Sequence, residues 1–154
     1  MCLYARLLLP LVRAMQILDT SLTFKTRRFD TRTELPADAN AGNRFYGQDL
    51  ATYLCERFGD KGWLADFLDE DWGWLVAVDI DSATRFEVAI YLLGAPSEGL
   101  EPEWGLWIRA FQRKRRFGFL PVRSSPVSGT DVEAAVRDAI HLLGAMPGPW
   151  DGSI

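Results

Sequence analysis

"WGWLVAVDIDSATRFEVAIYLL", residues 72–93, decides the fold. Read with a period of two, Trp74, Val76, Val78 and Ile80 share one face, and Phe86, Val88, Ile90 and Leu92 share one face of the run that follows. That alternation belongs to half-buried strands. Only "DSA", residues 81–83, separates the runs. So short a link favours a hairpin, which makes the two strands antiparallel.

Working outward, "EWGLWIRAFQR" (103–113) repeats the alternation, with Leu106, Ile108 and Ala110 on one side. Trp107, Arg109, Phe111 and Arg113 take the other side. The link before it, "GAPSEGLEPE", is longer and acidic, and three strands in a meander are the simplest arrangement. Upstream, "QILDTSLTFKTRRF" (16–29) sets Leu18, Leu22 and Phe24 on one parity, against Asp19, Ser21, Thr23, Lys25 and Arg27. It runs into "DTRTELPADANAGN", a polar, aperiodic loop.

Two segments carry the helical period instead. In "GQDLATYLCERFG" (47–59), Leu50, Ala51, Leu54, Cys55 and Phe58 fall within one arc opposite Thr52 and Glu56, and Gly59 is expected to close the helix. Near the C-terminus, Thr130 and Glu133 make a capping box, and Val132, Ala135, Val136, Ala139, Ile140 and Leu143 form one stripe closed by Gly144. The expected order is β-α-β-β-β-α, an α+β fold with two helices packed on one face of a mainly antiparallel sheet.

At 154 residues the chain is read as one domain over 15–146, followed by an irregular tail at 147–154. "MCLYARLLLPLVRA" (1–14) is set apart as a terminal extension. Its apolar stretch is broken by Pro10, too short for a signal peptide and far short of the about 20 residues of a spanning helix. Either a misplaced upstream start or a docked terminal segment accounts for it. A net charge of −4 gives no overall attraction to nucleic acid or anionic membrane. Cys2 and Cys55 suit reduced thiols of a cytoplasmic protein better than a disulfide.

Catalytic templates fail for want of residues. His141 is the only histidine, and it lies opposite the apolar stripe of its helix, facing solvent. A Ser-His-Asp or Cys-His site has no other residue to recruit, and zinc sites need several His or Cys. No phosphate-cradling glycine motif occurs, and no cofactor or metal is expected. "LVAVDIDSAT" resembles the strand and D-x-D signature of the haloacid dehalogenase-like phosphatases, which would make Asp79 nucleophile and Asp81 acid. The resemblance spans ten residues, Ala83 departs from it, and that family's parallel sheet conflicts with the hairpin. The plain reading puts both aspartates at a turn.

"DEDWGW" (69–74) is the stretch richest in contrast. Asp66, Asp69, Glu70 and Asp71 crowd the approach to a buried strand, where the carboxylates would end a loop in water. Trp72 and Trp74 are expected to share a face and anchor the strand, with Gly73 letting another backbone pass close. A partner-binding reading adds a basic protein meeting Asp66, Asp69, Glu70, Asp71 and Trp72. The rival surface is "RKRR" with its neighbour: Arg109, Arg113, Lys114, Arg115 and Arg116, interleaved with Phe111, Phe117 and Phe119, in the manner of single-strand nucleic-acid binders.

"NRFYGQDLATYL", "EDWGWLVAV" and "EWGLWI" together resemble a group of small uncharacterised bacterial α+β proteins sharing G-x-D-L and E-D-W-G-W motifs, over roughly residues 43–111. The resemblance implies the fold and a bacterial setting, without an activity. The expectation is a non-enzymatic cytoplasmic binding protein, with an immunity-type inhibitor of a protein partner as one form. The nucleic-acid-associated reading is the alternative, and a D-x-D hydrolase the minor one.

Overall fold

The computed structural model describes residues 15–33, 45–81, 84–93, 99–112 and 129–150. In chain order the elements are β1 (Met15–Lys25), α1 (Gln48–Asp60), β2 (Leu64–Glu70), β3 (Gly73–Asp79), β4 (Thr84–Leu93), β5 (Glu103–Gln112), α2 (Gly129–His141) and β6 (Gly148–Pro149). Among the described residues the strands form one sheet in the order β2-β3-β4-β5-β1-β6, and every pairing is antiparallel. The class is α+β as expected, with two strands more than the sequence pattern shows.

The period-two faces hold. Trp74, Val76, Val78, Phe86, Val88, Ile90, Leu106, Ile108 and Ala110 are buried on one side of the sheet. Leu22 and Phe24 of β1 join them, and a bulge between Gln16 and Leu18 shifts the register. On this side α1 packs against β2 and β3, and α2 against β1 and β5. Leu50, Ala51, Leu54 and Phe58 of α1 and Val132, Ala135, Val136, Ala139 and Ile140 of α2 complete the core. The opposite face of the sheet carries no helix among the described residues.

The end of α1 differs from the expectation. The residue in the left-handed region is Gly62, at φ 79°, while the helix runs through Gly59 to Asp60. Trp63 N–H donates to the Phe58 carbonyl at 3.2 Å and Gly62 N–H to the Gly59 carbonyl at 2.8 Å, the paired bonds of a Schellman motif. The Trp63 ring packs 6.1 Å from that of Phe58, so an apolar contact fixes where the helix stops. At α2 the helix already includes Gly129 and Thr130, so Thr130 lies in its first turn rather than ahead of it. Gly144 takes the left-handed conformation expected of it, at φ 75°.

The segment before Trp72 is not a loop. Leu64–Glu70 is strand β2, paired with β3 at all seven positions from Leu64↔Asp79 to Glu70↔Gly73. Its core side holds Ala65 and Phe67, both packed against the core, and α1 packs against this strand. In the expected tail, β6 pairs Pro149 with Leu22 and Gly148 with Thr23.

Candidate functional site

The hairpin β2–β3 forms one end of the sheet, and β2 is its edge strand among the described residues. Asp66, Asp69, Glu70, Asp71 and Trp72 all lie on this strand or on the two-residue turn Asp71–Trp72. The structure thus brings the five nominated residues onto one continuous margin. Directly opposed residues of an antiparallel pair share a face. Asp66 and Glu70 therefore project from the outer face with Leu64 and Leu68, while Asp69, opposite Trp74, is on the helix side at its exposed end.

Trp72 and Trp74 do not share a face. Trp74 is buried on the helix side, its indole N–H donating to the Phe45 carbonyl at 3.1 Å. Trp72 belongs to the turn rather than the strand, and its half-buried ring stacks 5.1 Å from Tyr91 on the outer side. The turn separates the two, because Gly73 at φ 154° redirects the chain between them. Tyr91 in turn packs 5.5 Å from Trp150, and Gly105 leaves the space that the Trp150 ring fills. A row of three rings thus runs outward from the hairpin across the face opposite the helices. Burial pushes the Tyr91 hydroxyl up, against the pull of Arg109.

Beside β2, on the outer face, runs a cleft of about 310 Å³ lined by Leu64, Ala65, Asp66, Leu68, Ala77, Asp79 and Arg85. Leu64 is 79% exposed and Leu68 51%, large apolar side chains standing in water on an edge strand. Neither leucine was picked out by sequence. Three carboxylates in seven residues hide the period, and two of the four apolar residues, both leucines, occupy the exposed side.

Arg109, first of the rival basic surface, is engaged within the fold. It pairs with Glu87 at 3.3 Å, directly across from it in β4, and its guanidinium lies 5.0 Å from the Trp107 ring and 6.0 Å from Phe111. The Trp107 indole N–H donates to Asp19. Arg113, Lys114, Arg115 and Arg116 lie outside the described residues, as do residues 1–14.

Asp79 and Asp81 stand where β3 passes into β4. Asp81 Oδ1 accepts the Thr84 N–H at 2.7 Å, the local turn bond that aspartate favours. Since β3 and β4 run antiparallel, the parallel sheet that the phosphatase resemblance implies is not formed here. Cys55 is half-buried, and desolvation, helped by Asp66 and Glu56, pushes its thiol up to about 11, the reverse of an activated nucleophile. His141 is exposed, as its place on the wheel predicts. Among the described residues, no group of three or more His, Cys, Asp or Glu is disposed to hold a metal, and no helix is long and apolar enough to cross a membrane.

A second cleft, of about 560 Å³, went unnoticed in the sequence. Arg27, Arg28 and Arg32 line it with Asp30, Asp49, Leu100 and Pro102. The run of bases after β1 was its only signal. Its two carboxylates serve the backbone: Asp30 accepts the Arg32 and Thr33 N–H groups at 2.8 and 3.1 Å, and Asp49 accepts those of Asp30 and Leu50 at 2.7 and 2.9 Å. Hydrogen bonds from Thr33 and from the Arg32 amide hold the Asp30 carboxyl below its ordinary range.

Fold and margin together define an α+β protein with a helix-covered face and, among the described residues, a face without helices and an acidic edge strand. Comparison with family models, with curated proteins and with solved structures gave no match.

Proposed function

We propose that this chain is a non-enzymatic binding protein of the bacterial cytoplasm that meets a basic protein partner at the β2–β3 hairpin, through Asp66, Asp69, Glu70, Asp71 and Trp72. An immunity-type inhibitor is the form of this reading that we favour, in keeping with the resemblance to small bacterial α+β proteins. One observation carries it: five residues singled out by charge and aromatic character occupy one continuous sheet margin, flanked by the exposed Leu64 and Leu68. Acidic groups around an apolar patch give the pairing of rim charge and desolvated centre that protein partners use.

A pull-down from the native host tests it, with co-expression of the neighbouring gene's product. The expected result is a basic protein retained by the parent and lost when Asp66→Asn and Glu70→Gln are combined. The reading fails if no partner appears, or if the double variant keeps it undiminished. Retention of nucleic acid in place of protein, lost steeply with salt, would favour the alternative built on Arg109 and Arg113–Arg116.

A further inference from the structure

Among the described residues β2 is paired on one side only, and its other edge is regular along its whole length. All seven residues keep register with β3, so the main-chain groups on the other side form an unbroken row. In an antiparallel ladder, successive residues turn their N–H and C=O alternately toward and away from the neighbour. The Phe67 N–H donates to the Asp66 carboxylate at 2.8 Å, which places it on the side away from β3. Ala65 shares its parity. These two residues therefore offer main-chain donors and acceptors to a strand laid alongside, and the Asp66 carboxylate covers one of the donors.

The side chains specify the newcomer. Leu64 and Leu68 flank Asp66 on the outer face, along the 310 Å³ cleft. Asp69, Glu70 and Asp71 follow, and β2 itself carries no Lys or Arg. A second copy of β2 would align carboxylates with carboxylates and supply no base, so self-pairing is opposed by like charge.

We propose that β2 accepts an extended basic segment of a partner protein as an added antiparallel strand, with Asp66 acting as a selectivity latch. A Lys or Arg side chain opposite Asp66 draws the carboxylate away from the Phe67 N–H, which then donates to the partner's carbonyl. A neutral strand gives the carboxylate no reason to leave. The same group thus blunts the edge against indiscriminate pairing and admits a charged strand. This rests on the binding role proposed above and supplies its mode: main-chain bonds give the affinity, and alternate side chains give the choice.

The test uses the full chain and a blocked heptapeptide alternating Val with Lys, beside analogues with Gln or Glu in place of Lys. Amide exchange and chemical shifts are followed by nuclear magnetic resonance. The Lys peptide should slow exchange at Ala65 and Phe67. It should bind about tenfold more tightly than the Gln peptide, an ordinary effect for one well-placed charge pair. The Glu peptide should not bind. Asp66→Asn, an exposed change that leaves the core alone, should erase the preference for Lys over Gln. If the Lys peptide shifts Asp69 to Trp72 but leaves the Ala65 and Phe67 amides unprotected, strand addition is wrong while the acidic surface survives. If it binds nowhere on the hairpin, strand addition falls and the pull-down alone decides the binding role. Equal binding of Lys and Gln peptides overturns the latch. Concentration-dependent protection of the same amides without peptide would assign the edge to a second copy and end the proposal.

Discussion

A side chain at Gly73 would place its first carbon 2.5 Å from the main-chain oxygen of Ile90. The approach joins the β2–β3 turn to β4, and backbone cannot move aside as a side chain can. At φ 154°, Gly73 also occupies a conformation that other residues avoid. Gly73→Ala should cost roughly 2–6 kcal/mol, combining backbone strain and overpacking of about 1–3 kcal/mol each. Urea unfolding measures it. A loss under about 0.5 kcal/mol, the usual surface value, would show that the turn relaxes freely.

The two tryptophans of the turn should behave unequally. Trp74→Ala removes a buried ring and its bond to Phe45, so about 3–5 kcal/mol is expected. Trp72→Ala leaves a half-buried stack on Tyr91, and about 1–2 kcal/mol follows from one aromatic pair plus modest area. Thermal melts compare them. Equal losses would contradict the placement of the rings on opposite faces.

Cys55 makes stability fall at alkaline pH. Its thiol is raised in the fold from 9.0 to about 11, so the folded state holds the proton longer than the unfolded chain. The contribution is complete below the unfolded value and disappears as pH climbs through about 11. Tyr53 and Tyr91, also raised by burial, act in the same sense at higher pH. In a Cys2→Ser background, Cys55→Ser should flatten the decline between pH 9 and 11 without abolishing it. Iodoacetamide should modify Cys55 slowly at pH 8 in the folded protein and readily in urea. Rapid labelling of folded protein would refute the burial argument.

Neutralising the edge should promote self-association. Asp66→Asn with Asp69→Asn changes two exposed side chains, and stability should stay within about 1 kcal/mol, twice the usual surface value. What is lost is the charge guarding an edge on which Leu64 and Leu68 stand exposed. Sedimentation at rising concentration should show dimers or larger species that the parent lacks. A variant as monodisperse as the parent would mean the carboxylates do not protect this edge.

Much of the fold is legible in the residues themselves. Where one parity carries an unbroken apolar set, as in Trp74, Val76 and Val78 of β3, Phe86, Val88, Ile90 and Leu92 of β4, and Leu106, Ile108 and Ala110 of β5, period alone names the buried face. The same holds for the stripe on α2. β2 defeats that method because neither parity is unbroken: Leu64 and Leu68 look outward among Asp66 and Glu70, and the core side holds Ala65, Phe67 and Asp69. Its strand character comes from the full ladder with β3, which is a property of the pair. The candidate site was half legible for a related reason. Charge and aromatic character single out Asp66, Asp69, Glu70, Asp71 and Trp72, but only the sheet order makes them a margin. The faces of Trp72 and Trp74 turn on the conformation of Gly73 between them, which spacing cannot convey.

The placement of β1 between β5 and β6 has a kinetic consequence. From β2 to β5 each strand pairs with the next in sequence, whereas β1 must find β5 across the chain, as in Lys25↔Glu103 and Thr20↔Ile108. Closing so long a loop costs entropy before any contact returns it, which slows folding. The expected sequence of events is a meander that assembles first and a first-made strand that docks late, bringing β6 with it. Conservative substitutions in β3 and β4 should then slow folding, while those at Leu22 and Phe24 chiefly hasten unfolding. On this account a nascent chain carries β1 unpaired until about ninety further residues exist, an interval spanned by the distance in sequence from Lys25 to Gln112.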